Sequence, residues 1–247
     1  MRKPLLTQPV NDNKQMRENV GLPGSMDRVF YDHRGKPCDK WHHYLEVYER
    51  HLRRFTRVPS GRDFCPKYRL LEIGVQRGGS LEIWREFLGP SAVIRGLDID
   101  PACQAHNNLE KGIVVFTGSQ NDRDLLRTLV SEMGGIDVVI DDGGHYNSDQ
   151  IVSFETLYPL LNDGGVYICE DTHTSYWPEY GGSPSGQGSF IEYAKGLVDQ
   201  LHGWHTDAVP DETFASRTKS VLFYDSMVVI ERQDRDMPSR SVVGAGL

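Results

Sequence analysis

The chain has 247 residues, a formal net charge of −8 and 38% hydrophobic residues. That length can bury a full core and fits one large α/β domain rather than two. The acidic balance, with no clustered Lys/Arg stripe, argues against a nucleic-acid partner, and no apolar run approaches the roughly 18 to 20 residues of a membrane span.

Residues 1–38 are polar, with Pro and Gly interspersed and no sustained periodicity, and are expected to form an arm or lid. The polar start Met-Arg-Lys-Pro-Leu-Leu-Thr-Gln lacks the apolar core of a secretory signal, so a cytoplasmic location is expected. Next, Trp41, Tyr44, Leu45, Tyr48, Leu52 and Phe55 recur at three- and four-residue steps, which predicts an amphipathic helix with Asp39 as its N-cap. Lys40, His42 and His43 either close over a cofactor or belong to the charged surface of that helix. After a Pro/Gly linker over 58–66, a strand, Gly-rich turn and helix pattern repeats. Strands are predicted near 69–74, 93–98, 113–117, 136–141 and 165–170, with helices near 80–88, 121–132, 148–161 and 189–202. Such alternation calls for a parallel sheet covered on both faces. Ser220–Tyr224 and Met227–Glu231, separated by Asp225-Ser226, read as a terminal antiparallel hairpin, and 233–247 as a loose tail. The expected organisation is therefore a single domain over 39–232. Cys38, Cys65, Cys103 and Cys169 include no C-x-x-C pair, so neither a zinc site nor a disulfide framework is expected.

Function is to be sought where two apolar strands turn abruptly acidic: Ile-Asp-Asp-Gly-Gly-His (140–145) and Val-Tyr-Ile-Cys-Glu-Asp (166–171). The carboxyl end of a buried parallel strand is where such a sheet opens into a site. Asp142, Glu170 and Asp171 in one crevice would raise each other's pKa values unless a cation held them ionised, so a metal is expected, with His145 beside it. Leu-Leu-Glu-Ile-Gly (70–74) followed by Val-Gln-Arg-Gly-Gly-Ser (75–80) is a strand, a glycine-bearing turn and a helix start, a weak cofactor signal by itself. Asp98 strengthens it, because it ends the next strand 24 residues after Gly74, where an acidic side chain can accept from ribose hydroxyls. The turn is not G-x-G-x-x-G, and Glu72 beside it would repel a pyrophosphate while suiting a cationic cofactor, which favours S-adenosylmethionine over NAD.

Glu72-x-Gly74 with Gly78-Gly79-Ser80-Leu81, Gly96-Leu97-Asp98-Ile99-Asp100, Ile140 to His145 and Glu170 to Trp177 together resemble the metal-dependent sugar O-methyltransferases, a group that includes macrolide, rhamnosyl and mycobacterial polysaccharide methyltransferases. The likeness runs from about Asp39, in Asp39-Lys40-Trp41-x-x-Tyr44, through Gly182, and the C-terminal third matches weakly. It implies the Rossmann-like class I methyltransferase fold, a mostly parallel seven-stranded sheet with a C-terminal antiparallel hairpin and helices on both faces. It further implies Asp142, Glu170 and Asp171 as Mg²⁺ ligands and His145 as general base. Glu72, Gly74, Ser80, Asp98 and Asp141 would contact S-adenosylmethionine, with Ser119 and Gln120 near the adenine. The implied partner is a carbohydrate or glycoside; self-association into a homo-oligomer is left open.

A sugar hydroxyl resembles water, with a pKa near 15.7, against about 6.5 for an ordinary imidazole; the gap of about 9 units is roughly 12 kcal/mol against deprotonation. A histidine alone does not bridge that gap, whereas a divalent cation chelated by adjacent hydroxyls stabilises the forming alkoxide and leaves the histidine only a proton to accept. Vicinal phenols chelate the same ion, so a catechol-type methyltransferase is the alternative, and a non-catalytic nucleotide-binding domain the remote one. The loop Thr172 to Ser189, with Tyr176, Trp177 and Tyr180, suits a mobile lid that presents aromatic faces to a carbohydrate, and His173 is either an acceptor contact or a plain loop residue.

Overall fold

The computed structural model describes residues 24–56, 67–209 and 211–244. Seven strands form one sheet in the order β3-β2-β1-β4-β5-β7-β6. They are β1 (Arg69–Ile73), β2 (Val93–Asp98), β3 (Ile113–Thr117), β4 (Ile136–Asp141), β5 (Leu161–Cys169), β6 (Thr218–Tyr224) and β7 (Met227–Arg232). The first five run parallel, and β7 inserts antiparallel between β5 and β6. The chain thus winds outward from β1 to β3, returns to β4 and continues the other way. A crevice opens at that reversal, outside the carboxyl ends of β1 and β4.

Helices cover both faces, and strand alternation decides what each face receives. Leu70, Ile94, Val138, Ile140, Val166 and Ile168 pack with α1 (Met26–Asp32), α2 (His42–Leu52) and α3 (Gly79–Leu88). Leu71, Leu97, Val139, Tyr167 and Val228 pack with α4 (Arg123–Met133), α5 (Asn147–Leu157) and α6 (Phe190–Leu201). Two cores result, one above and one below the sheet. A short α7 (Thr213–Arg217), not foreseen from the sequence, leads into β6.

Local chemistry explains most boundaries. Asp122 caps α4 by accepting from the N–H groups of Asp124 and Leu125, and Gly134 ends it in the left-handed region at φ 72°. The helix predicted over 148–161 stops at Leu157, because Pro159 cannot continue an α-helical ladder; a 3-10 turn follows and β5 begins at Leu161, earlier than expected. Asp39 does not cap α2. The backbone is extended at Trp41, helix begins at His42, and no side-chain cap is present.

Of the first 38 residues, 1–23 lie outside the described residues. Those from Ser25 to Pro37 pack onto the domain: Met26 is fully buried and its N–H donates to Glu49 Oε2 at 2.8 Å. The carbonyls of Lys36 and Pro37 lie so close to Gly79 that a Cβ there would meet them at 2.5 and 2.3 Å. This strap covers the first turn of α3, the helix terminus that the sequence offers to an anion. No helix among the described residues is long and apolar enough to cross a membrane.

Candidate active site

A crevice of about 1090 Å³ runs along the carboxyl ends of the strands. One end is lined by Gly74, Asp98 and Ser119, the middle by Lys40, Asp142, His145, Glu170 and Asp171, and the other end by Trp41, Trp177 and Tyr180. It has room for a nucleoside-sized molecule and a second ligand beside it.

At the β1 end, Gly74 has φ 88°, and a Cβ there would strike the Asp142 carbonyl oxygen at 1.9 Å. Glycine is needed for the β1 and β4 turns to approach. Asp98 organises the same corner, accepting from the N–H of Val75 at 2.8 Å and of Gln76 at 3.0 Å on Oδ2, and from that of Asp100 at 2.9 Å on Oδ1. Burial would raise its pKa, but these backbone donors outweigh that and hold it below the usual carboxylate range.

Glu72 lies behind the crevice wall, fully buried, with Ser80 Oγ donating to Oε2 at 2.7 Å and Trp84 Nε1 to Oε1 at 3.0 Å. Burial pushes its pKa up to about 7, against the opposing influence of Lys40 and Ser80. Asp141 is likewise buried but on the other face of the sheet, held by Tyr167 Oη at 2.6 Å and Gln120 Nε2 at 3.2 Å, and burial pushes it up to about 7. Gln120 spends its remaining bonds on Ser153 Oγ at 3.1 Å and the Gly144 N–H at 3.0 Å. Both carboxylates hold turns in place, and Ser119 and Gln120 line the crevice beside them.

Glu72 carries a pH prediction. A carboxyl whose pKa rises on folding binds more protons folded than unfolded between its ordinary value of 4.5 and about 7, so its contribution to stability is full below that window and is lost as pH rises through it. The loss is on the order of 3 kcal/mol. Gln in its place can accept from Trp84 and donate to Ser80, so Glu72→Gln should melt higher than the unmodified protein at pH 8, with the gap closing towards pH 4.5. Calorimetric melting without ligands checks this; equal melting temperatures at pH 8 would mean that Glu72 is ionised at no cost.

Asp142 and Glu170 follow β4 and β5 and, like Glu72, fall on the face covered by α1 to α3. There the chain itself supplies a cation. Lys40 Nζ donates to Asp142 Oδ2 at 2.5 Å and to Glu170 Oε2 at 2.8 Å, with its side chain 5% exposed. Burial works against its charge, but the two carboxylates prevail and hold its pKa well above the usual lysine value. Glu170 is pushed up by burial and then by Asp142, with Lys40 opposing. Tyr48 Oη bonds its second oxygen at 2.5 Å, and Tyr44 Oη donates to Asp171 Oδ1 at 2.7 Å. Of the two readings of Lys40, helix-surface charge is overturned: the residue precedes α2 and reaches into the crevice.

His145 Nε2 lies 3.4 Å from Asp171 Oδ2 and 3.9 Å from Asp142 Oδ1, while its Nδ1 is buried without a partner. Asp142, His145 and Asp171 each offer a donor atom within 4.8 Å of the other two, whereas Glu170 is bonded at both oxygens. His145 and Asp171 have φ 56° and 53°, left-handed conformations that only a well-determined surrounding sustains in such residues. This donor set of two carboxylates and an imidazole fits a small divalent cation. Over it stands an aromatic wall: His173 lies edge-on to Trp41 and Trp177 at 6.2 and 4.7 Å, and Trp177 packs on Tyr180 at 5.9 Å. The 172–189 loop is braced rather than hung as a lid. Asn147 donates to the Tyr180 carbonyl at 2.9 Å and accepts from Ser175 Oγ at 2.9 Å and the Phe190 N–H at 2.8 Å.

A doubly wound sheet with its β7 inserted antiparallel, a glycine turn after β1 and an acidic end to β2 define a class I methyltransferase domain. Residues 71–172 match the family model described as a methyltransferase domain. The chain is 32% identical over 230 residues to 8-demethyl-8-(2-methoxy-alpha-L-rhamnosyl)-tetracenomycin-C 3'-O-methyltransferase of Streptomyces olivaceus, covering 88% of this chain and 56% of that protein. It is 36% identical to L-olivosyl-oleandolide 3-O-methyltransferase of Streptomyces antibioticus, over 66% of this chain and 43% of that one. Among solved structures it superposes on the MycE methyltransferase of the mycinamycin biosynthetic pathway, in complex with Mg, SAH and mycinamycin VI, with a TM-score of 0.70 and 30% identity over 86% of this chain and 54% of that chain. The chain shares a methyltransferase domain with these sugar O-methyltransferases, and spans about half the length of the curated relatives it matches.

Proposed function

We propose that the protein transfers the methyl group of S-adenosylmethionine to a sugar hydroxyl, on a mannose- or rhamnose-type unit of a polysaccharide, glycolipid or glycosylated natural product, in a Mg²⁺-dependent reaction in the cytoplasm. The observation that carries this reading is the convergence of Asp142, His145 and Asp171 donors between the Gly74–Asp98 corner and the aromatic wall. Asp142, Glu170 and Asp171 would hold the Mg²⁺, with Glu170 shared with Lys40 and Tyr48. When bound, the ion supplies a Lewis acid that lowers the pKa of an acceptor hydroxyl.

His145 accepts the proton of that hydroxyl at Nε2, the nitrogen turned towards the carboxylates, and Asp171 and Asp142 stabilise the imidazolium that results. The acceptor oxygen then bonds to the methyl carbon as the carbon–sulfur bond breaks, leaving S-adenosylhomocysteine. Asp98 and the Gly74 turn hold the nucleoside end of the donor, and the anionic interior, with Glu72 behind it, favours its sulfonium charge. Trp41, His173, Trp177 and Tyr180 offer faces to the apolar side of a sugar ring.

Two measurements test this reading. Titration calorimetry with S-adenosylmethionine, with and without Mg²⁺, should give binding in both cases. A screen of mannosides, rhamnosides and catechols with labelled methyl donor should transfer label to a glycoside; label on catechols alone would replace the sugar reading with the phenol one, and no binding of the donor would remove both.

A further inference from the structure

We propose that Lys40 is a positioning residue of the metal site, one that fixes the Asp142 and Glu170 carboxylates and so keeps Asp142 Oδ1 turned towards His145 and Asp171. The inference rests on the metal-dependent reading above and names a residue that reading does not require.

Lys40 and His145 address different oxygens of Asp142. The Lys40 Nζ takes Oδ2, while Oδ1 is the oxygen 3.9 Å from His145 Nε2. The same ammonium holds Glu170 Oε2, so two buried carboxylates that would repel each other are clamped about one charge. Lys40 is the first of three residues at four-residue steps. Tyr48 bonds Glu170 and Tyr44 bonds Asp171, so each carboxylate has an oxygen held by this one segment. An ammonium donor is suited to this role, because it carries three N–H groups on a stem that packs against apolar neighbours. Lys40 thus shares the carboxylates with a metal and does not take its place.

The test is a Mn²⁺ titration of the whole chain, read by the electron paramagnetic resonance of free Mn²⁺ with neither methyl donor nor acceptor present. Lys40→Met keeps the stem and removes the charge. Removing a positive charge would by itself tighten binding of a cation, and so would removing a competitor for the same position. A positioning role predicts the reverse: Mn²⁺ affinity falls by about 10- to 100-fold, the usual cost of losing a partner that orients metal ligands. Binding of S-adenosylmethionine in chelator should not weaken, since its contacts lie at the Asp98 end and loss of a cation from the crevice leaves its sulfonium no less favoured. Should the methionine variant fail to fold, Lys40→Gln retains a donor for one carboxylate and should shift Mn²⁺ affinity in the same direction. Unchanged or tighter Mn²⁺ binding in the folded variant overturns the positioning role. If the unmodified protein binds no Mn²⁺, the metal-dependent reading falls and this inference with it, an outcome distinct from a variant that behaves like the unmodified protein.

Discussion

EDTA should abolish methyl transfer and Mg²⁺ should restore it, while Asp142→Ala should lower kcat/KM by on the order of 10³, the rate equivalent of about 4 kcal/mol of lost charge stabilisation. Asp142 is the carboxylate with most to lose, because it joins the Lys40 clamp to the donors of His145 and Asp171. The variant should still fold. Removing Asp142 leaves Lys40 and Glu170 as a balanced pair and takes away a like charge that pushes Glu170 upward. Affinity for S-adenosylmethionine, measured by calorimetry, should be little changed. Full turnover in chelator would end the metal mechanism and leave proton transfer alone to account for catalysis.

His145→Ala should lower kcat by roughly 10² to 10⁴, the usual contribution of a general base, with little change in donor affinity. The backbone needs a control here. His145 sits at φ 56°, where alanine is strained by about 1 to 2 kcal/mol, so a loss in that variant mixes chemistry with a shifted turn. Asn tolerates the left-handed region and cannot serve as a base at neutral pH, which makes His145→Asn the cleaner measurement. Equal losses in both variants, under conditions where methyl transfer limits the rate, assign the proton to His145. Near-normal kcat in the Asn variant would make the residue a turn former and require another acceptor for the proton.

How much of this was legible beforehand varies with the distance over which each feature is decided. The strands over 69–73, 93–98 and 136–141 could be read because apolar runs bounded by Gly and charge are local signals, and Pro159 accounts for the end of α5 before the predicted boundary. The abrupt acidity after Ile140 and Cys169 likewise marked where the sheet opens. Other assignments needed the pairing of elements. Glu72 and Asp141, expected as cofactor contacts, are bonded to Ser80 and Trp84 and to Tyr167 and Gln120, partners that no local signal announces. Nothing in the sequence alone said which side of the sheet Asp141 or Asp142 would face, although alternation required that they differ.

The sequence by itself determined the alternation of strands and helices from β1 to β5, the glycine at position 74 and the cluster of carboxylates with one histidine, because each follows from side-chain period, backbone freedom or the cost of like charges in one place. The charge argument required a cation but could not identify one. Only the tertiary structure brought Lys40 across 102 and 130 residues to Asp142 and Glu170, and Tyr44 across 127 to Asp171. The four-residue spacing of 40, 44 and 48 reads equally as a buried helical stripe, and the packing of α2 over the β4 and β5 ends turns it into a row of donors. A hydrogen bond of that reach depends on where two distant elements cross, and crossing is fixed by burial of the whole core rather than by any residue's neighbours in the chain.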